Sequence, residues 1–305
     1  MKIAFKKHDR VCFLGDSITA HGFWEAEIIE YFLNNYRELE IEFYNCGISG
    51  TTGFEANLKN RLYADFLNYF PQYAVIMFGM NDVGKWLYDP ALETPERIER
   101  RKQRAEGYRN TLKNLIDICR ERDITPIICT PTPFNEYGEY ESVSWGIDRV
   151  LEDFSSTAKQ ISEENGLLLV DMRRMLLRHL SEKPLCDDRT HPNKYGYHLM
   201  AEKFLFDIGA KEKIEPEKEC IISDKNAKRF EIEDILRDIM FIERNYTGWQ
   251  YKESHSLPYR KAQLNKMAKN EKRDFKKAFA NYNKYADVKD ELQAELIKRT
   301  IELYK

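Results

Sequence analysis

Arg10-Val11-Cys12-Phe13-Leu14-Gly15-Asp16-Ser17-Ile18-Thr19 is the stretch on which the fold turns. Its apolar first half reads as a short buried strand. Gly15 permits a sharp turn at the strand's end. Ser17 then falls at the carboxyl edge of the strand, where open α/β sheets present their ligands. A serine in that place is a nucleophile only if a neighbouring group takes its proton. Otherwise it caps the helix that follows.

Working outward, Phe23 to Leu39 places Ile28, Ile29, Phe32, Leu33 and Tyr36 at helical spacing. Ile41 to Asn45 is a second strand, running into the glycine-rich loop Cys46-Gly47-Ile48-Ser49-Gly50-Thr51-Thr52-Gly53. Phe54 to Phe70 is predicted helical, with Pro71 just beyond it. Tyr73 to Phe78 is a continuous apolar run, as in a parallel sheet covered on both faces, and it ends in Gly79-Met80-Asn81-Asp82. Thr94-Pro95 caps a long charged helix reaching about Arg122. Thr125 to Thr130 and Leu167 to Asp171 are the fourth and fifth strands, separated by a helix from Ile147 to Glu164 that Asn165-Gly166 stops. A helix from Met172 to Leu180, the loop Cys186 to Pro192 and a last helix from Asn193 to Ile208 follow. Strands alternating with helices predict a parallel α/β sheet with right-handed crossovers and helices on both faces. This domain spans residues 1–210.

Residues 211–305 have another texture. A charged linker, Lys211 to Lys218, leads to predicted helices at Phe230 to Tyr246, Tyr259 to Tyr285 and Val288 to Tyr304. The lysine- and arginine-rich middle stretch reads as a solvated face. Phe275, Phe279, Tyr282 and Tyr285 recur within it and suit packing against the α/β domain or a second copy of the chain, a route to a homo-oligomer.

The composition narrows the function classes. The 305 residues are 42% apolar, enough for a sizeable core, and the net charge of −3 gives no pull toward nucleic acid or an anionic membrane. No apolar run approaches the ~20 residues of a membrane helix, and no signal-like apolar segment precedes the first strand. A soluble, cytoplasmic protein is expected. The six cysteines form no CxxC pair and read as small core residues in a reducing compartment. No cluster of metal ligands stands out, so neither metal nor cofactor is expected.

Strand ends of a parallel sheet meet at one edge. Ser17, Gly50 and Asn81 follow the first three strands, and Asp188 and His191 precede the last helix. His191 has the chemistry to take the serine proton. Asp188, three residues earlier, can hold the other imidazole nitrogen. The oxyanion of an attacked ester needs fixed donors: the Ser17 N–H, the Gly50 N–H and the Asn81 amide. Pro192 suits the first turn of the last helix. His21 and His198 are the rival bases; His21 is close to Ser17 in sequence, and a polar helix face accounts for His198.

Gly15-Asp16-Ser17-Ile18, Gly47-Ile48-Ser49-Gly50-Thr51-Thr52, Gly79-Met80-Asn81-Asp82 and Asp188-Arg189-Thr190-His191-Pro192 together resemble the four blocks of the SGNH (GDSL) hydrolase superfamily. The resemblance covers about residues 8–210. It implies a three-layer α/β/α, flavodoxin-like fold, a Ser17-His191-Asp188 triad, and ester hydrolysis without a metal. Residues past 210 have no counterpart in it. Intracellular relatives often deacetylate carbohydrates, which implies a short acyl ester, acetyl foremost, as substrate. Trp86, Tyr88, Tyr137, Tyr140 and Trp145 lie in loops near the expected mouth, and their faces suit sugar rings; Trp86, Tyr137 and Trp145 are the substrate contacts expected. Asp16 is adjacent enough to count among them, although it and Asp82 read best as holders of loop backbone. Two other functions compete: acyl transfer to an alcohol on the same fold, and a non-catalytic scaffold that works through the C-terminal helices.

Overall fold

The computed structural model describes residues 4–57, 62–63, 65–136, 145–180, 183–186, 188–242 and 275–304. Strand β1 (Arg10–Gly15) is buried along almost its whole length. It pairs in parallel with β2 (Glu42–Asn45) on one side and with β3 (Tyr73–Met77) on the other. β4 (Thr125–Cys129) and β5 (Leu168–Val170) extend the sheet in the order β2-β1-β3-β4-β5, every pair parallel. The chain leaves β1 for one edge and then crosses back to β3. The carboxyl ends of β1 and β3 therefore flank the point where the winding reverses, which is where such sheets open a crevice.

Helices cover both faces. Helices α1 (Ser17–Ala20) and α2 (Phe23–Asn35) follow β1, and α3 (Gly53–Ala56) follows β2. Next come α4 (Pro95–Arg120), α5 (Ile147–Asn165), α6 (Met172–His179) and α7 (Lys194–Asp207). α7 packs against α2 and α6, while α4 packs against α3 and α5. These are the outer layers of an α/β/α sandwich. Beneath the first, Phe13 meets Trp24 edge-on at 5.0 Å and Phe32 meets Phe43 at 5.2 Å; beneath the second, Tyr108 stacks on Phe154 at 4.2 Å. Each such burial contributes roughly 1.5–3 kcal/mol.

The predicted helix from Phe54 to Phe70 is not continuous. Thr52 and Glu55 form a capping box that starts α3, but the helix stops at Asn57, whose amide turns away to the Thr111 carbonyl on α4. Residues 62, 63 and 65 are helical again, as predicted, and a 3₁₀ turn at Leu67–Tyr69 ends the stretch. Likewise the helix predicted to Leu39 ends at Asn35, and a separate 3₁₀ turn covers Arg37–Leu39. Gly15 serves space rather than turning: it lacks a positive φ, and a Cβ on it would lie 2.2 Å from the Thr19 hydroxyl oxygen. Gly47 is similarly tight, with 2.4 Å to the Ala20 nitrogen, so the loop after β2 presses directly on α1.

Beyond α7, helices α8 (Asp224–Ile242), α9 (Phe275–Tyr285) and α10 (Lys289–Tyr304) follow, with α9 and α10 packed on α8. Most of the predicted helix from Tyr259 lies outside the described residues; of Phe275, Phe279, Tyr282 and Tyr285 the side chains of the two tyrosines are described, both half-buried. α10 lies against β2. The outer edge of β2 meets α8: the Asn45 N–H donates to Glu233 Oε1 at 2.6 Å, and Arg229 donates to the Phe43 carbonyl. Arg229 pairs with Glu233 at 3.1 Å and lies 3.7 Å from Glu25, all three out of water. Burial, then Glu233, pushes the Glu25 carboxyl well above the usual range, against Arg229.

His198 is not on a polar helix face. It is fully buried, bonded through Nδ1 to Glu27 and through Nε2 to the Glu215 carbonyl, and so ties α2, α7 and the linker together. Glu27, His198 and Glu202 are also the group of converging metal-type ligands among the described residues. Glu202 is already engaged by Lys211 and by the Glu215 N–H. Among the described residues no helix is long and apolar enough to cross a membrane.

Candidate active site

The turn after β1 is built on Asp16, which caps α1 by accepting the Ile18 N–H at 2.9 Å. Asp16, not Ser17, is thus the cap. Ser17 is the first residue of the helix, so its N–H has no acceptor within the helix. Asp16 itself is buried and does not line the cavity in front of Ser17. Burial pushes its carboxyl up to about 7, with Asp82 adding to the rise and the Ile18 N–H and Lys85 opposing.

Ser17 Oγ lies 2.8 Å from His191 Nε2, although 174 residues separate them. His191 Nδ1 lies 2.7 Å from Asp188 Oδ2. The other oxygen of Asp188 accepts the N–H groups of Thr190 and His191, both at 2.6 Å. Burial alone would raise the Asp188 carboxyl, but the His191 ring and these two N–H groups outweigh it and hold it below the usual carboxylate range. An ionised Asp188 fixes the imidazole with its proton on Nδ1 and a lone pair facing the serine hydroxyl.

Gly50 sits at φ +78° and lines the same cavity as Ser17, Asn81 and His191. The Asn81 amide donates to the Thr51 carbonyl at 3.1 Å, which leaves it a second N–H. Asp82 joins the two loops that carry these donors. Its Oδ1 accepts the Gly53 N–H at 2.9 Å and its Oδ2 the Gly79 N–H at 3.0 Å. Burial raises the Asp82 carboxyl to about 6 against these two bonds and Arg104.

Pro192 lies just before the last helix rather than in its first turn. It bridges to Cys186, while Asn193 caps α7. The loop carrying His191 is braced from outside. Lys85 Nζ donates to Thr190 Oγ1 at 2.7 Å, and Arg189 exchanges backbone and guanidinium bonds with Asn135 at 2.9 and 3.0 Å. Sequence reasoning missed Lys85 and Asn135, since nothing in their neighbourhoods marks a brace. Arg189 was visible only as a member of the Asp188–Pro192 block.

The cavity measures about 980 Å³ and is lined by Trp86, Phe54, Arg104 and Tyr108 besides the groups above. Trp86 is 60% exposed and its ring carries the Arg104 guanidinium at 4.6 Å. Trp145 is also exposed, with Arg189 5.9 Å over its ring, and it is not part of the described lining. Tyr137 and Tyr140 lie outside the described residues. His21 does line the cavity, but its Nδ1 is bonded to Tyr197 at 2.8 Å; Ser17 is bonded to His191 instead.

Residues 13–199 match the model of the GDSL-like lipase/acylhydrolase family, more than half of the chain and inclusive of every group just described. The chain belongs to this family. It is an ester-bond hydrolase, similar to an acetylxylan esterase of Geobacillus stearothermophilus, with 28% identity over 219 residues that cover 66% of this chain and 94% of the relative. A crystal structure of that esterase superposes with a TM-score of 0.56 at 28% identity, covering 68% of this chain and 97% of its own. A gut microbial diltiazem-metabolizing enzyme shares only 16% identity, yet its fold matches with a TM-score of 0.71 over 100% of this chain and 97% of that one. The fold of this esterase, C-terminal helices included, therefore recurs in a solved structure.

Proposed function

We propose that this esterase removes small acyl groups, acetyl foremost, from carbohydrate alcohols, with Ser17 as nucleophile, His191 as base and acid, and Asp188 as the group that orients the imidazole. The observation that carries the reading is the continuous relay from Ser17 Oγ through His191 to Asp188, with spacings of 2.8 and 2.7 Å. As Ser17 attacks the acyl carbonyl, its proton passes to His191 Nε2. The imidazolium is held by Asp188, and the new oxyanion is received by the Ser17 N–H, the Gly50 N–H and the free N–H of Asn81. His191 returns the proton to the departing alcohol. Water then enters, gives its proton to His191, and releases the acid from Ser17 by the same route in reverse. Each oxyanion donor is worth about 2.7–4 kcal/mol of barrier in comparable sites.

The similarity to an acetylxylan esterase supports an acetylated sugar, and the exposed Trp86 at the cavity rim supports a ring-shaped alcohol. Incubation with acetylated xylosides, quenching and peptide mass spectrometry test the reading. The acetyl mass is expected on the peptide that holds Ser17, and it should vanish in Ser17→Ala. Turnover with no acyl group on Ser17 would exclude the mechanism.

A further inference from the structure

We infer that His21 binds the alcohol part of the substrate by donating a hydrogen bond from its Nε2–H to a sugar oxygen beside the scissile ester. The inference rests on the proposed carbohydrate substrate and deepens it. His21 lines the cavity with Ser17 and His191, and its ring centroid lies 4.9 Å from that of His191. Its Nδ1 is committed to the Tyr197 hydroxyl at 2.8 Å. Nε2 is the polar atom that the ring has left to offer.

The tautomer follows from counting donors. Tyr197 is 1% exposed, and His21 is the hydrogen-bond partner described for its hydroxyl. If His21 Nδ1 carried the proton, the phenol O–H would be buried without an acceptor, which is costly. The phenol therefore donates to Nδ1, and a neutral His21 must carry its proton on Nε2. Burial, then His191, holds the His21 pKa below the usual 6.5, with Asp188 opposing and Arg237 reinforcing. A neutral donor is what this position requires, because the imidazolium that forms on His191 during attack would repel a second cation beside it.

The turn that carries His21 is supported from the C-terminal helices. Gly22 has φ +74°, and a Cβ there would come within 2.8 Å of the Phe230 ring on α8. The Thr19 carbonyl in the same turn accepts the Asn45 amide at 2.8 Å. His21 is thus presented on a turn packed from behind, as a group that aligns a substrate needs to be.

The test measures kcat/KM for an acetylated xyloside and for phenyl acetate, whose alcohol has no second oxygen, and takes their ratio. His21→Phe keeps a ring and removes the donor; the ratio is expected to fall about three- to tenfold, the worth of one neutral hydrogen bond. Tyr197→Phe keeps the fold's packing and removes what fixes the tautomer; a fall of the ratio by at least about twofold is expected there too. It serves alone if His21→Phe is insoluble. An unchanged ratio, including an equal loss on both esters, overturns the assignment and leaves His21 as a prop for His191. Failure of the wild-type protein to turn over the xyloside while it hydrolyses phenyl acetate overturns the carbohydrate reading itself, and this inference with it.

Discussion

Asp188→Asn is the substitution whose effect the site geometry specifies most closely. One carboxylate oxygen accepts two backbone N–H groups, from Thr190 and His191, and the other accepts the imidazole Nδ1–H. An asparagine has one oxygen to share between these tasks. Two N–H donors outweigh one, so the amide oxygen stays with the backbone and the NH₂ faces Nδ1. The imidazole must then accept at Nδ1 and carry its proton on Nε2, aimed at Ser17 as a donor. A base so protonated cannot accept the serine proton. In a serine hydrolase the wrong tautomer lowers kcat about 10⁴-fold, which corresponds to about 5.4 kcal/mol of barrier. The fold should hardly notice, because the Asp188 side chain is 56% exposed and the side-chain oxygen still accepts both backbone N–H groups. The assay is steady-state hydrolysis of an aryl acetate with active-site titration, beside thermal unfolding of both proteins. If Asp188→Asn retains more than a tenth of the wild-type kcat, the relay is not what activates Ser17.

Other expected outcomes follow from single contacts. Asn81→Ala should lower kcat about 10²- to 10³-fold with little change in KM, since the lost donor acts on the oxyanion; steady-state kinetics decide it. Asp16 titrates near 7 when folded and near 3.8 when unfolded, so the fold binds the extra proton between those values. Its contribution therefore weakens stability as pH rises from about 4 to 7 and costs most above 7. Asp16→Asn, whose oxygen can still cap Ile18, should gain more melting temperature over wild type at pH 8 than at pH 5; calorimetry at the two pH values checks the sign. Arg229→Met removes the buried guanidinium that pairs with Glu233 and holds the Phe43 carbonyl, and should cost about 3–5 kcal/mol of stability, read by denaturant unfolding.

Much of this fold is written in local pattern. The short apolar runs at Val11, Tyr73 and Thr125, alternating with helical periodicity, suit a sheet buried on both faces, and the breaks between them mark the loops that carry Ser17, Gly50 and Asn81. The Asp188–His191 spacing is legible for a similar reason, since a tight turn brings residues three apart together. What stayed hidden is tertiary. Nothing adjacent to Lys85 announces Thr190, 105 residues away. His198 looked like a surface residue because its partners, Glu27 and Glu215, come from other elements. The helix from Phe54 stops at Asn57, whose side chain binds the Thr111 carbonyl, a contact that no local propensity encodes.

The pairing of Arg229 and Glu233 with the rim of β2 has a consequence for solubility. A marginal strand ordinarily displays free amides and carbonyls that recruit another chain. Here the Phe43 carbonyl and the Asn45 amide are occupied by one guanidinium and one carboxylate, four residues apart on a single helix, which imitate the next strand without being one. Side chains of this kind terminate a sheet instead of propagating it. The last helices thus protect the protein from self-stitching in crowded solution.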